Sequence, residues 1–551
     1  MLTSVVIAQK IQESRGTNTL KTLTHVSLAL AAVIPGTILA AVLAHADTPA
    51  DTVVMARQID DLNTLDPAEC YEISCQEIIS NIYSRLIRYN PDNPSELIGD
   101  AAESWTVSAD GKTIEFKLRP GLIFESGEPL SAQDAAFSLQ RVILLDKAPA
   151  FLLTQFGWTK DNVAENVKAL DDRTLSLTLV EPVAPSLALN ALAAFTSSIV
   201  EKRVAEANAS GDDLGNQYLK FHSATAGPFK LIAWRPAEAV MLGANQPAAG
   251  ADGALRRVVV RHVPETATQQ LLLEQGDIDI ARNLSSDQLA AVAENPKLRV
   301  DHFTGSDTWY VSMNMAEEHL ASPKVREALK YLVDYEGMTK SFLADRFTVQ
   351  QSFLPTGMFG ALALSDYKLD VDRAKSLLAE AGYPDGFELT LDVPSNSPYI
   401  DIAQSMQQTM AQAGVKLSLL SGDLSAVITK YRARQHQLVL VDWSPDYLDP
   451  HTNANTFAKN FDNSDGSQQR TIAWRNHWDI PELSRQTMEA AKELDVAKRK
   501  EDYAAIQTEV HETGPYILMF QNVPAVASRA NVTGFRIGAA TDLNLYSTIR
   551  K

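Results

Sequence analysis

Asp370-Val371-Asp372-Arg373-Ala374-Lys375-Ser376-Leu377-Leu378-Ala379-Glu380-Ala381-Gly382-Tyr383-Pro384-Asp385-Gly386-Phe387-Glu388-Leu389-Thr390-Leu391-Asp392-Val393 reads as a helix followed by a strand. Asp370 can cap a helix whose apolar face is Val371, Ala374, Leu377, Leu378 and Ala381. Gly382 and Pro384 stop it. Phe387, Leu389, Leu391 and Val393 then alternate with the period of a strand. The rhythm repeats downstream. Ile402, Met406, Met410 and Ala413 share a helical face ended by Gly414, and Val415, Leu417 and Leu419 alternate. After one more helix, Leu438-Val439-Leu440-Val441 is a continuous apolar run, the mark of a strand buried on both faces. Alternating helices and strands predict an α/β region with a mostly parallel sheet.

That prediction has a functional consequence, because ligands of open α/β sheets bind beyond the carboxyl ends of the strands. The segment leaving the buried run is Asp442-Trp443-Ser444-Pro445-Asp446-Tyr447-Leu448-Asp449-Pro450. It concentrates rings and carboxylates in a Pro-stiffened loop, the chemistry for a cationic, partly apolar small molecule. A tryptophan anchoring the core and acids capping the next helix would produce the same pattern, and spacing alone does not choose between the two readings.

Toward the N-terminus the pattern changes. Trp105 and Val107 alternate on one arm of a hairpin, Ile114, Phe116 and Leu118 on the other, with Asp110-Gly111 supplying the positive φ values of a tight turn. Val167 to Leu179 repeats the idea around Asp171-Asp172, and Ala132–Leu145 reads as a helix. This region predicts an antiparallel sheet with a few helices. The small-residue patch Pro247–Ala254 reads as a surface loop.

The whole chain has 551 residues, 45% apolar and 21% charged, with a net charge of −19. More than one folding unit is expected at that length. No basic stripe is present, which excludes nucleic acid as a partner. Lys10, Arg15 and Lys21 precede an apolar stretch from Val26 to Leu43 that ends in Ala44-His45-Ala46. This reads as a secretory signal peptide over 1–46, cleaved after Ala46; an N-terminal membrane anchor is the alternative. No cysteine stands at the cleavage point, so no lipid anchor is expected. Removing the leader leaves 505 residues and a net charge of −21. The two cysteines, Cys70 and Cys75, both lie in the exported part, where an oxidising compartment favours a bridge over two free thiols. Their spacing fits neither a redox nor a zinc motif.

Catalytic signatures were sought without result. There is no Gly-x-Gly-x-x-Gly, Walker loop, Gly-x-Ser-x-Gly elbow or His-Glu-x-x-His, and the histidines beyond residue 46 never fall at i, i+4. Asp462-Asn-Ser-Asp-Gly466 imitates a calcium loop but breaks its ligand spacing and lacks the closing Glu.

Several segments, in order, resemble one family: the large solute-binding proteins of ABC importers, bacterial extracellular solute-binding protein family 5. The resemblance begins at Leu65-Asp66-Pro67. Its most specific stretch runs through Ala101-Ala102-Glu103-Ser104-Trp105, Ala109-Asp110-Gly111-Lys112, Phe116 to Gly121, Phe124, Gly127 to Ala132 and Asp134. It continues through Gly227-Pro228-Phe229-Lys230-Leu231 with Trp234, Leu273 to Asp279, Asn314, Lys324 to Leu329 with Asp334, and Ala374 to Phe387.

The resemblance implies an α/β, two-lobed Venus flytrap of the large type II periplasmic-binding-protein class, with an extra antiparallel α+β domain. The expected layout is lobe one over 47–88, 201–304 and 521–551, the extra domain over 89–200, and lobe two over 305–520. Two hinge crossings are expected near Thr304–Met313 and Pro515–Pro524. Such a protein is expected to be a periplasmic monomer that is not an enzyme and has no cofactor, metal or catalytic residue. It would capture a ligand between its lobes and dock on an ABC permease. In peptide-binding members an acid of the Trp-x-x-Asp-Tyr loop pairs with the α-ammonium. Here that position is Asp446, between Trp443 and Tyr447. Arg475 is a candidate partner for a ligand carboxylate, with a surface arginine as its alternative. Trp309 and Tyr310 are candidates to line the cleft or to pack the core. Peptides or similar amino-terminated compounds are the expected ligands; an opine, an oligosaccharide or a metal chelate is the alternative.

Overall fold

The computed structural model describes residues 48–245, 255–467 and 469–551. The leader assigned to 1–46 and the patch at 247–254 lie outside the described residues.

The helix–strand rhythm that opens the sequence reading builds one side of a six-stranded sheet. The helix Val371–Glu380 is capped by the Asp370 side chain, which accepts from the Arg373 amide. The strands Glu388–Pro394, Lys416–Gly422 and Leu438–Trp443 follow, with Tyr399–Ala411 and Leu424–Arg432 as intervening helices. Leu438 and Leu440 pack into one core cluster and Val439 and Val441 into another, on the opposite face. The run is therefore apolar at every position because both faces are covered.

The sheet is mixed, which corrects the expectation of a mostly parallel one. Its order is Phe347–Val349, Tyr516–Asn522, Thr308–Met313, Leu438–Trp443, Glu388–Pro394, Lys416–Gly422. Only the last two neighbour pairs are parallel; the other three are antiparallel. The reason is connectivity. Thr308–Met313 and Tyr516–Asn522 are the strands by which the chain enters and leaves this lobe. They pair antiparallel to each other and do not arise from helical crossovers.

A second, seven-stranded sheet forms the other lobe. Its order is Leu298–His302, Ala525–Arg529, Ile280–Ala281, Thr52–Arg57, Arg257–His262, Ala239–Ala244, Phe229–Arg235. The chain thus passes between sheets twice, from His302 to Thr308 and from Asn522 to Ala525. The two crossings are tied together. The Asp307 amide donates to Asn522 Oδ1 at 3.0 Å, Gln521 Nε2 to the Gly305 carbonyl at 2.7 Å, and the Phe303 amide to the Pro524 carbonyl at 2.9 Å.

A four-stranded antiparallel sheet (Ala102–Val107, Thr113–Leu118, Thr174–Thr178, Val167–Ala169) carries the hairpin read from sequence, and Ala132–Leu145 packs on it as a helix. The turn is looser than expected. Of Asp110-Gly111 only Gly111 has positive φ, at +70°, and five residues separate the strands. Asp110 instead accepts from Ser108 Oγ and the Lys112 amide, a side-chain turn that needs no left-handed aspartate.

Cys70 and Cys75 form a disulfide. No helix among the described residues is long and apolar enough to cross a membrane.

Candidate functional site

The loop after Leu438–Trp443 divides its acids between two tasks. Asp449 is a structural acid. It caps the helix Pro450–Phe457 by accepting from the His451 amide, and it takes both arms of Arg499 at 2.6 and 2.9 Å. Asp446 does neither. It is 8% exposed and forms no ion pair among the described residues. Its hydrogen-bond donor is Thr452 Oγ1 at 3.4 Å, and the Tyr71 phenol of the opposite lobe favours its charged form. Burial drives its pKa up to about 7, against the smaller opposing pull of those two hydroxyls. A shift of that size is a preference for the neutral acid on the order of 4 kcal/mol. An acid of this kind suits a cation: an ammonium placed against it would offset the desolvation that raises its pKa.

The two lobes meet around this loop. Tyr447 is 2% exposed and donates its hydroxyl to Gln155 Oε1 at 3.2 Å, and the Leu448 amide donates to the Tyr89 hydroxyl at 2.9 Å. Ser186 Oγ reaches Asp449 at 3.3 Å, and the Ala184 amide donates to the Ala491 carbonyl. The lobes are in contact around this loop.

Arg475 ends the short helix Ile472–Arg475, half-buried, with its guanidinium 5.0 Å from the centre of the Tyr431 ring. It forms no ion pair among the described residues, and its buried Nε has no hydrogen-bond partner. Its positive charge acts on Tyr71, Tyr310 and Tyr431, in each case favouring the phenolate. Trp443 is half-buried and meets Phe457 edge-on at 5.8 Å. Trp309 and Tyr310 lie deeper, 6% and 1% exposed. Trp309 stacks on Tyr399 at 4.3 Å, and Tyr310 packs edge-on against Phe457 and Tyr516.

Sequence reasoning missed a second group of acids at the same strand end. Asp307, in the first crossing, accepts from Ser444 Oγ at 2.5 Å and from Asn522 Nδ2. Asp442 accepts from the Tyr399 hydroxyl at 2.5 Å. Burial raises the pKa of both carboxyls, and the Asp442 charge pushes Asp307 up further. Ser444 thereby ties the loop to both crossings. Tyr71 was missed too, although its place between the two cysteines was a usable signal.

The site lies apart from a cavity of about 980 Å³ bordered by Phe303–Ser306, Pro355–Phe359 and Gly538, which reaches Leu448 and Asp449 but not Asp446. Among the described residues no three of His, Cys, Asp and Glu converge on one point. The imitation calcium loop is filled by Arg434, which donates to Asn463 and Asp465.

A match to the model of the bacterial extracellular solute-binding proteins, family 5 (middle), spans residues 96–465. The chain belongs to this family. Family 5 proteins are substrate-binding proteins of ABC importers, not enzymes. A curated relative, the probable D,D-dipeptide-binding periplasmic protein DdpA of Escherichia coli K12, is 28% identical over 90% of this chain and 93% of its own. Among solved structures, the fold is similar to the ABC transporter-associated periplasmic binding protein DppA of Helicobacter pylori in complex with the peptide STSA. The TM-score is 0.79, with 24% identity over 91% of this chain and 98% of that one. It is also similar to MoaA of A. tumefacien R10 in complex with mannopinic acid, with TM-score 0.77 and 23% identity over 91% and 99%. At such identities these structures establish the fold, a two-lobed type II periplasmic binding protein. The family 5 protein described here accordingly has a periplasmic setting and a solute-capturing role.

Proposed function

We propose that this family 5 protein captures peptides or similar amino-terminated compounds between its lobes and delivers them to the permease of an ABC importer, after export by the leader at 1–46. The observation that carries the ligand class is Asp446: a buried carboxyl beyond the carboxyl end of a central strand, with a hydroxyl donor in Thr452 and no ion pair among the described residues. A ligand ammonium supplies the missing charge, and an interaction of this kind in a dry cleft favours the closed state by touching both lobes. Arg475, half-buried over the Tyr431 ring and without an ion pair among the described residues, is the proposed partner for a ligand carboxylate. Trp443 and Tyr447 are the proposed aromatic wall beside the charged groups, and Trp309 and Tyr310, packed on opposite faces of the sheet, support it from behind. The peptide-binding names of the relatives agree with this reading. The complex of MoaA with mannopinic acid keeps an opine as the competing ligand.

Native mass spectrometry with di- to pentapeptides, their N-acetylated forms and mannopinic acid tests the proposal. Free-amino peptides are expected to bind and their N-acetyl forms to fail. Equal binding of acetylated peptides, or binding of the opine alone, would overturn it.

A further inference from the structure

The cavity of about 980 Å³ beside the first hinge crossing has a wall from each lobe. One wall belongs to the lobe of the six-stranded sheet and is made by Pro355–Phe359, Leu448, Asp449 and the segment from Glu493 to Arg499. The opposite wall is made by the turn around Pro94, the helix Pro185–Ala193 and the C-terminal tail from Gly534 to Thr548. Leu187 of that helix and Leu543 of that tail are buried in the core cluster that holds Val53 and Val258 of the seven-stranded sheet. Phe303–Ser306 closes the hinge end. None of Trp309, Tyr310, Trp443, Asp446, Tyr447 and Arg475 borders the cavity.

Its surface is apolar where it is free and polar only where it is already engaged. Phe303, Met358, Phe359 and Ile537 are half-buried along it, and Leu494 and Val496 stand 48% and 68% exposed at its edge. Side chains of that size and exposure on facing walls offer apolar area to an occupant. The charged residues on the border are Asp92, Asp449, Glu493, Arg499 and Arg536, and each has its counter-ion. Arg499 holds Asp449 at 2.6 and 2.9 Å, Arg536 lies 3.1 Å from Asp92, and Lys498 lies 2.9 Å from Glu493. The uncharged polar groups are spent in the same way. Ser186 Oγ accepts from Arg499 at 2.9 Å, Asn190 Nδ2 donates to the Ser186 carbonyl at 2.8 Å, and Thr548 Oγ1 donates to the Gly534 carbonyl at 2.8 Å.

We propose that this cavity is a second binding site, for an uncharged, largely apolar organic molecule that touches both lobes. Its volume is that of a pocket for a drug-sized ligand. A charged occupant would have to break one of the three ion pairs or leave its own charge without a partner, and either is costly away from water. A neutral one gains the apolar surface and disturbs no pair. The site stands independently of the ammonium reading of Asp446.

The test uses the mature protein and two dyes with one ring system, followed by fluorescence titration and equilibrium dialysis. N-phenyl-1-naphthylamine is uncharged; 8-anilinonaphthalene-1-sulfonate adds a sulfonate. The neutral dye is expected to bind saturably, one per chain, and the sulfonate to bind roughly tenfold or more weakly. Val496→Asp and Ile537→Asp place a carboxylate on opposite walls. Each is expected to weaken the neutral dye by roughly tenfold or more, because an occupant that touches both lobes loses contact from either side. Val496 is exposed, so that variant keeps its melting temperature. Should Ile537→Asp not fold, Pro94→Asp, at an exposed position on the same wall, takes its place. Phe221→Asp is the control: Phe221 is 49% exposed, stacks on Trp234 and does not border the cavity, so dye binding should be unchanged. Absence of saturable neutral-dye binding, equal affinity for the sulfonate, unaltered affinity in the variants of either wall, or loss of the dye in Phe221→Asp would overturn the proposal.

Discussion

Glu77 and Asp446 are both buried carboxyls, one in each lobe, and their surroundings are opposites. Glu77 is fully buried and saturated. Arg57 donates at 2.7 Å, Arg282 at 2.9 and 3.2 Å, Asn544 Nδ2 at 2.9 Å and the Tyr546 hydroxyl at 2.6 Å. Two guanidinium groups overcome the burial cost and hold its pKa well below the usual carboxylate range. Asp446 has comparable burial and only hydroxyl partners, and its pKa rises to about 7. A saturated acid holds a fold together; the role proposed for Asp446, short of a cation among the described residues, is to meet one that arrives from outside.

The comparison can be broken at either end. The largest effect is expected from Glu77→Gln, which leaves two buried guanidinium groups facing a neutral amide. It should destabilise the protein by about 3–5 kcal/mol in urea unfolding, with the ligand affinity of the folded fraction unchanged. Asp446→Asn should do the reverse. It should abolish most affinity for free-amino ligands while the unfolding free energy at pH 8 stays level or rises, because a costly buried charge is gone. If both variants lost stability equally, the distinction between the two acids would fail.

The two acids also respond to pH with opposite signs. The folded pKa of Glu77 is depressed, so its stabilising contribution is complete above the ordinary carboxylate range and is lost as pH falls through it. The folded pKa of Asp446 is raised, so its burial costs nothing at low pH and a penalty grows as pH climbs toward 7. Ligand binding needs the ionised form. Affinity for a free-amino ligand should therefore fall by up to about tenfold per pH unit below 7, and calorimetry near pH 6 should show proton release on binding. Asp446→Asn should flatten that profile. The smallest expected effect belongs to the acid pair behind the loop. Asp442→Asn keeps an acceptor for Tyr399 but removes the repulsion on Asp307. It should raise stability by about 1 kcal/mol at pH 8, and the gain should shrink as pH falls and the raised pKa values bring protons onto the pair.

The α/β region was legible because each of its signals is local. Asp370 caps within three residues, Gly382 stops a helix by its own φ of +94°, and the apolar run at Leu438–Val441 needs no partner to be recognised. The mixed character of the sheet was not legible, because Thr308–Met313 and Tyr516–Asn522 lie about two hundred residues apart and nothing in either says that they pair. Within the site the loop could be found, since rings and acids cluster there in sequence. Its two readings could not be separated, because the difference between Asp446 and Asp449 is a matter of distant neighbours. Arg499 comes from a later helix and Tyr71 from the other lobe.

The sequence by itself determined most of the elements, the family and the address of the candidate loop, since capping, periodicity and turn chemistry act over a few residues. Only the tertiary structure decided which acids stay charged. That depends on desolvation and on whether a cation lies within reach, and both are set by chain segments hundreds of residues away. Arg282 reaches Glu77 from 205 positions along the chain, and Tyr71 acts on Asp446 from the other lobe.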